Sequence, residues 1–136
     1  MFSNPSDETI AKILTHARTI AIVGLSDDPT RASYQVAKYL QTNGYQIIPV
    51  NPHADEILGE TAIPSLQDVD DAVDIINVFR RSEALPEIIE ASLALSAPVI
   101  WAQLGIYNEE AAAIGLQHGK TIIMDRCIKI EHARLV

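Results

Sequence analysis

The stretch 18–40 constrains the fold more than any other part of the chain, because it joins an apolar strand, a tight turn and a helix. The run 19–23 is rich in β-branched side chains and is closed by Gly24, which is typical of a buried parallel strand. The turn 24–29 follows, and apolar residues at helical spacing predict a helix from about Ala32. In an α/β fold, this order of elements directs backbone N–H groups and the positive end of a helix towards a phosphate.

The turn matches a dinucleotide-binding sequence only in part. Such a sequence has three glycines, whereas Gly24 is followed by Ser26 where a second glycine is expected. Arg31 and Ser33 offer a guanidinium and a hydroxyl at the mouth of the predicted helix, which favours an anion site. Asp27 and Asp28 would repel a phosphate unless they point away or cap the helix. The residues alone leave an ordinary turn and a phosphate site as open alternatives.

Length and composition indicate one cytoplasmic domain. The chain has 136 residues and is 48% hydrophobic, which is enough for a core. No apolar run approaches the roughly 18 residues of a membrane helix, and the N-terminus lacks the features of a signal peptide. The net charge of −8 argues against non-specific binding to nucleic acid or an anionic membrane, but it allows a small anionic ligand. The sequence leaves the oligomeric state open.

The residues that bind metals show no matching pattern. Cys127 is the single cysteine, so an intramolecular disulfide and a zinc site built from cysteines are both excluded. The four histidines lack ligand spacing. The acidic residues between 68 and 74 lack the order of an oxygen-ligand loop, and we expect them to form a solvated rim. The sequence therefore predicts that no metal is bound.

Apolar strands alternate with helical patterns along the whole chain. This alternation predicts an α/β fold with a Rossmann-like, doubly wound parallel sheet of five strands, with helices on both faces. We expect the strand order 3-2-1-4-5. The predicted strands are 19–23, 45–50, 73–79, 98–102 and 120–124, and the predicted helices are 6–17, 32–43, one from 82, 108–117 and a last short one after 127.

Polar residues and glycines gather where the predicted strands end. The residue after the second strand is Asn51, where NAD-dependent enzymes place an acid that binds the ribose, so NAD is disfavoured and a phosphorylated ribose is allowed. Because the carboxyl ends of parallel strands meet at one edge, we expect a ligand crevice there. Ordinary turns also collect polar residues, so this interpretation keeps a structural alternative. The residues concerned are Gly24, Ser26, Asn51, Phe79, Arg80, Gln103, Gly105 and Cys127.

A series of short motifs in order along the chain resembles a known family. The motifs are Val23-Gly24-Leu25-Ser26, Arg31-Ala32-Ser33-Tyr34, Pro49-Val50-Asn51-Pro52, Leu58-Gly59-Glu60, Val78-Phe79-Arg80-Arg81, Trp101-Ala102-Gln103-Leu104-Gly105 and Met124-Asp125-Arg126-Cys127-Ile128-Lys129. They are similar to those of the small bacterial CoA-binding proteins, which are single-domain relatives of the CoA-binding domain of the succinyl-CoA synthetase α subunit. The resemblance implies that residues 1–136 form one Rossmann-like domain that binds coenzyme A.

The resemblance also implies a site and the absence of catalysis. Gly24, Ser26 and the segment 31–34 would meet the phosphates, and Asn51 and Pro52 would lie near the adenosine. The chain lacks the phosphorylated histidine motif and the second domain of the synthetases, so we expect non-catalytic binding of CoA or an acyl-CoA. The full expected site is Gly24, Leu25, Ser26, Asp27, Arg31, Ser33, Tyr34, Asn51, Pro52, Phe79, Arg80, Gln103, Gly105 and Cys127.

Two other functions and one residue stay open. A NAD(P)-dependent oxidoreductase would suit the fold, and a regulatory module that senses a nucleotide would suit the crevice. Cys127 is either a small packed apolar residue or a group at the crevice mouth that forms a mixed disulfide with the CoA thiol.

Overall fold

Helices and strands alternate in the computed structural model, which describes residues 1–70 and 72–136. Five strands form a parallel sheet in the order β2-β1-β5-β6-β7, and β3 and β4 form a separate antiparallel hairpin. The strands are β1 (Thr19–Val23), β2 (Gln46–Val50), β3 (Glu56–Ile57), β4 (Glu60–Thr61), β5 (Ile75–Val78), β6 (Val99–Ala102) and β7 (Thr121–Ile123). The helices are α1 (Asp7–His16), α2 (Ala32–Thr42), α3 (Leu85–Ser92), α4 (Glu109–Gln117) and α5 (Ile128–Leu135), with 3₁₀ turns at Leu66–Asp68 and Ser82–Ala84.

Helices cover both faces of the sheet, so the predicted α/β class is confirmed. Along β1, Ile20 and Ile22 pack with α1, α2 and α5, whereas Ala21 and Val23 pack with α3 and α4. This division follows from the strand pleat, which sends successive side chains to opposite faces. A sheet buried on both faces requires the continuous apolar runs found in the sequence.

The position of the third long strand differs from the predicted order 3-2-1-4-5. That order placed it outside β2, but β5 pairs with β1 in parallel from Ile20–Ile75 to Val23–Val78, which gives the order 2-1-3-4-5 for the long strands. β2 is therefore an edge strand. It contains Pro49, whose nitrogen cannot donate to a neighbouring strand, and prolines in sheets are confined to edges. The proline was a signal against the inner position that the prediction gave to this strand.

Element boundaries follow the predictions closely, with one exception. Ser6 caps α1 by accepting a hydrogen bond from the Thr9 N–H, and Asn108 caps α4 by accepting one from Ala111. The hairpin of β3 and β4 lies in a segment that was expected to be a loop with short helical pieces. Its strands have two residues each, too few for an alternating pattern to show in the sequence.

Ionic contacts join the two ends of the chain. The Arg134 guanidinium donates to both carboxylate oxygens of Asp7 at 2.9 Å, and it also contacts the buried Glu131 at 2.7 Å. Arg126 reaches the other oxygen of Glu131 at 3.0 Å. The hydrogen bonds from Arg134 lower the pKa of Asp7. These contacts tie α1 to α5 across the sheet face.

The described residues show neither a membrane-spanning helix nor a cluster of metal-binding side chains. Across residues 1–70 and 72–136, no helix has the length and apolar character needed to cross a membrane. The same residues contain no group of three or more His, Cys, Asp or Glu side chains suited to a metal ion. Asp71, part of the expected acidic rim, lies outside the described residues.

We expect the stability of the fold to depend on pH through His132. Its Nδ1 lies 2.8 Å from the Tyr39 hydroxyl, its ring packs edge-on against Tyr39 and Tyr45, and burial lowers its pKa below 6.5. The unfolded chain then takes up this proton at a higher pH than the folded chain, so the free energy of unfolding falls as the pH drops below about 6.5. The glutamine of H132Q cannot be protonated in this pH range. We therefore expect the melting temperature of H132Q to fall by less than that of the wild type between pH 7.5 and pH 5.5.

The control for this prediction is H118Q, which changes an exposed histidine on the far side of the sheet. Thermal unfolding at both pH values measures the difference. If H132Q and the wild type lose the same melting temperature on acidification, protonation of His132 is not coupled to folding.

Candidate functional site

Two adjoining cavities open at the carboxyl ends of the parallel strands. The first, of about 650 Å³, lies between the loops after β5 and β6 and the start of α5. The second, of about 500 Å³, lies between the loops after β1 and β2 and the start of α2. They share Ala32, Phe79 and Arg80, and we call the joined groove the crevice. Both volumes are in the range of small-molecule sites.

The crevice lies where the winding of the sheet reverses. From β1 the chain moves outwards to β2, and then returns past β1 to β5. The connections on the two sides of β1 and β5 therefore diverge at their carboxyl ends and leave a gap, which is where open α/β sheets bind ligands. The corrected strand order moves Phe79 and Arg80 from an outer position to this gap.

Gly24 allows the loops after β1 and β5 to approach each other closely. Its φ is +85°, and a Cβ atom built there would lie 2.6 Å from the Phe79 carbonyl oxygen and 3.0 Å from the Arg80 Cδ. Every other residue type would clash with this backbone, and would also be strained at that φ. Gly24 therefore sets the width of the crevice where its two cavities meet.

Hydrogen bonds within the turn 24–31 hold it in place beside α2. The Ser26 N–H donates to the Ser33 hydroxyl at 3.0 Å, and the Asp28 N–H donates to the Ser26 hydroxyl at 3.0 Å. Asp28 in turn accepts from the backbone N–H and hydroxyl of Thr30, and these bonds lower the pKa of its carboxyl. The Asp28 carboxylate is thus held within the turn, and its Oδ2 lies 4.0 Å from the Nε of Arg31.

The start of α2 has no side-chain cap. Its N-cap residue is Arg31, whose side chain makes no capping hydrogen bond, and the first turn contains no acidic residue. The first backbone N–H groups of a helix have no partner within it, and its N-terminus carries a partial positive charge. Ala32 and Ser33, which carry the first of these N–H groups, line the second cavity of the crevice together with the exposed Arg31. This end of the crevice is suited to an anion.

Arg80 lies at the centre of the crevice. It lines both cavities, and it also lines a third cavity of about 340 Å³ between the ends of β1 and β2 and α3. Its side chain is exposed, and no ion pair holds it among the described residues. A guanidinium in this position can meet a phosphate that enters from either side.

Asn51 joins two loops rather than offering a free amide. Its Nδ2 donates to the Leu25 carbonyl at 2.8 Å, and its Oδ1 accepts from the His53 N–H at 2.7 Å. Its backbone N–H donates to Ile63 at 2.9 Å. An acidic residue here could accept from His53 but could not donate to Leu25. These hydrogen bonds explain an asparagine at position 51 independently of any contact with the ribose of a ligand.

Gln103 and Gly105 shape the other end of the crevice. The Gln103 Oε1 accepts hydrogen bonds from the Asn77 Nδ2 at 3.3 Å and from the Ile128 N–H at 3.2 Å, so one side chain joins β5, the end of β6 and the start of α5. Gly105, at φ +85°, donates its N–H to Asp125 at 2.7 Å. Cys127 lines the same cavity and is half-buried.

Nearly all of the predicted site residues line the crevice. The exceptions are Asp27, which is exposed outside it, and Tyr34, which packs against the apolar core beneath α2. The Leu25 side chain is fully buried, so only its backbone is available to a ligand. Arg31, Asn51 and Arg80, which are far apart in sequence, line one cavity. Contact of these residues with a ligand stays a prediction.

Sequence reasoning left out several residues that line the crevice. Some of them are adjacent in sequence to predicted site residues, and Arg81 and Leu104 belong to the family motifs named above. Their position next to predicted residues could therefore have indicated them. Ile130 lies on α5, and no motif pointed to its position. The residues left out are Val36, His53, Arg81, Ser82, Glu83, Leu104, Ile106 and Ile130.

A comparison with protein families identifies the chain. A family model that is described as a CoA binding domain matches residues 18–133 of the sequence. The chain belongs to this CoA-binding domain family. The expected resemblance to small CoA-binding proteins is therefore confirmed, and the match includes every part of the crevice described above.

Relatives of this CoA-binding domain include a protein of similar size. This chain is 53% identical over 130 residues to the uncharacterized protein YneT of Bacillus subtilis, with 96% of each chain covered. It is 30% identical over 131 residues to the α subunit of ADP-forming acetate–CoA ligase II of Pyrococcus furiosus, covering 87% of this chain and 29% of that one. The hypothetical protein from Pyrococcus horikoshii OT3 has a similar structure, with a TM-score of 0.92, 36% identity and 99% of both chains covered.

The close approach at Gly24 can be tested by substitution. We expect G24A to lower the free energy of unfolding by about 1–2 kcal/mol for the positive φ, and by roughly 1–3 kcal/mol more for the clash with the Phe79 carbonyl. The control is G119A, where φ is +78° but no atom lies within 4 Å of the added Cβ. Urea unfolding compares the two. An equal loss in both variants would show that the loop after β5 moves aside easily.

Proposed function

We propose that this protein binds coenzyme A or an acyl-CoA in the crevice and does not transform it. The observation that carries the proposal is the position of Arg80 beside the uncapped start of α2, between the two cavities of the crevice. A ligand with phosphates in its middle and a long arm on one side would place its charge at this junction. Membership of the CoA-binding domain family supports the same ligand.

The phosphates would meet two kinds of donor. Backbone N–H groups of Ala32 and Ser33 provide directed hydrogen bonds, and the Arg31 and Arg80 guanidinium groups provide charge. The net charge of the chain is −8, so a polyanion depends on these local groups for attraction. The arm of the ligand would then extend into the first cavity, towards Gln103 and Cys127.

The absence of catalysis is part of the proposal. The acetate–CoA ligase subunit is several times longer than the matched region, since this chain covers 29% of it. We therefore propose that this chain shares CoA binding with the ligase subunit, and that the ligase reaction depends on the parts of that protein outside the matched region. We also propose that residues 1–136 act as one CoA-binding domain in the cytoplasm, with a small molecule as the partner rather than nucleic acid or a membrane.

Calorimetric titration with CoA, NAD and ATP tests the proposed ligand. We expect heat of binding with CoA, and weaker or no binding with NAD, because Asn51 stands where NAD-binding proteins place an acid. Bound CoA should also raise the melting temperature, since it binds only the folded chain. No heat with CoA at millimolar concentration would contradict the proposal, and tighter binding of NAD would favour an oxidoreductase.

Substitution of the arginines tests where the phosphates bind. We expect R31Q and R80Q each to weaken CoA binding by about tenfold or more, because a hydrogen bond to a charged group contributes roughly 1.5–3 kcal/mol. The matched control is R18Q, whose exposed side chain precedes β1 at the opposite end of the sheet. Titrations at two salt concentrations should show a smaller salt dependence in R80Q. Equal affinity in R80Q and R18Q would place the phosphates elsewhere.

A further inference from the structure

The Gln103 side chain presents a fixed end of its amide to the crevice. The residue is only 6% exposed, and its Oε1 accepts hydrogen bonds from Asn77 and Ile128. The reversed amide would place its own N–H groups against these two donors, so the orientation is set. The Nε2 group has no acceptor among the described residues, and it is not one of their fully enclosed unpartnered atoms. It therefore faces the first cavity of the crevice.

A donor held in this way is suited to a carbonyl oxygen. Buried polar groups nearly always have a hydrogen-bond partner, and a ligand that supplies the missing acceptor gains affinity. The free thiol of CoA is a poor acceptor, because sulfur accepts hydrogen bonds only weakly. The carbonyl of a thioester is a better match in this position.

The mouth of the same cavity is lined by exposed apolar side chains. Leu104, in the loop after β6, is 62% exposed, and Ile130, on α5, is 56% exposed. Val36 and Ile106 continue this surface inwards. Large aliphatic side chains gathered at the opening of a cavity are typical of a binding site for an apolar group.

We propose that the first cavity is an acyl subsite, so that the protein prefers a short-chain acyl-CoA thioester over free CoA. This inference rests on the proposed function. The thioester carbonyl accepts a hydrogen bond from the Gln103 Nε2, and the alkyl chain packs on Leu104 and Ile130. A carbonyl within the arm of free CoA could also meet Gln103, but it would leave the two aliphatic side chains uncovered. An acyl thioester meets both requirements.

The test compares free CoA with acetyl-, butyryl- and hexanoyl-CoA by calorimetric titration of the full chain. We expect the dissociation constant to fall by about two- to fourfold for each methylene buried, at least as far as butyryl. Equal affinity for CoA and every acyl-CoA would overturn the acyl subsite while leaving CoA binding in place. Failure of all four ligands to bind would overturn the proposed function itself.

Two variants assign the contacts. We expect the double substitution of Leu104→Gln with Ile130→Gln to bring the ratio of CoA to butyryl-CoA dissociation constants close to one. The control is L116Q, which changes a 53% exposed leucine on α4 outside the crevice, and should keep the wild-type ratio. Unchanged selectivity in the double variant would overturn the apolar contact.

Q103M removes the amide while keeping a side chain of similar length. We expect it to lose about tenfold more affinity for butyryl-CoA than for CoA. An equal loss for both ligands would assign the amide to a carbonyl in the arm of CoA, and would overturn its role in thioester recognition. Q103M removes the acceptor of Asn77 and Ile128. If the variant fails to fold for this reason, the double variant at the exposed Leu104 and Ile130 still tests whether the first cavity binds the acyl chain.

A second copy of the chain is the competing occupant of the apolar mouth. Light scattering on the wild type and the double variant separates the two cases. Dissociation of a dimer by the double substitution would show that the mouth is a subunit interface, and would overturn the proposal. An unchanged molar mass together with lost acyl selectivity supports it.

Discussion

The contact between the loops after β1 and β5 is the constraint on which the crevice depends. Gly24 lies so close to the Phe79 carbonyl that a Cβ atom would be 2.6 Å from it. Because β1 and β5 are neighbours in the sheet, this contact places the start of α2 and the Arg80 side chain on the same groove. Widening it would separate the N–H groups of α2 from the guanidinium, and an anion would lose one or the other.

Polar groups inside the sheet determine the orientation of groups in the crevice. Asn77 is fully buried in a central strand, where an apolar residue would be expected. Its Nδ2 donates to the Trp101 carbonyl and to Gln103, and Gln103 also accepts from the start of α5. Among the described residues, no group donates a hydrogen bond to the Asn77 Oδ1. A buried polar atom without a partner lowers stability. In return, the hydrogen bond from Asn77 fixes the orientation of the Gln103 amide.

Local charge in the crevice differs from the charge of the whole chain. The acidic residue nearest α2, Asp28, is bonded to Thr30 within the turn, and the first turn of the helix has no acid. Arg31, whose Nε lies 4.0 Å from the Asp28 Oδ2, and Arg80, which has no ion pair among the described residues, act beside a helix end whose first turn carries no acid. An acidic protein can bind an anion in such a place because the nearest groups dominate at short range, while salt screens the more distant charges.

The sequence by itself determined the fold class, the five long strands and most of the crevice residues. These depend on local patterns: β-branched runs at 19–23 and 73–79, caps at Ser6 and Asn108, and polar residues at strand ends. Strand order depends on which strands pair across long distances in the chain, so it was predicted wrongly even though Pro49 marked an edge strand. The tertiary structure alone decided that Ile130 reaches the crevice, that Asp27 and Tyr34 lie outside it, and which end of the Gln103 amide faces it. Those outcomes follow from contacts between elements far apart in sequence, and no local pattern encodes them.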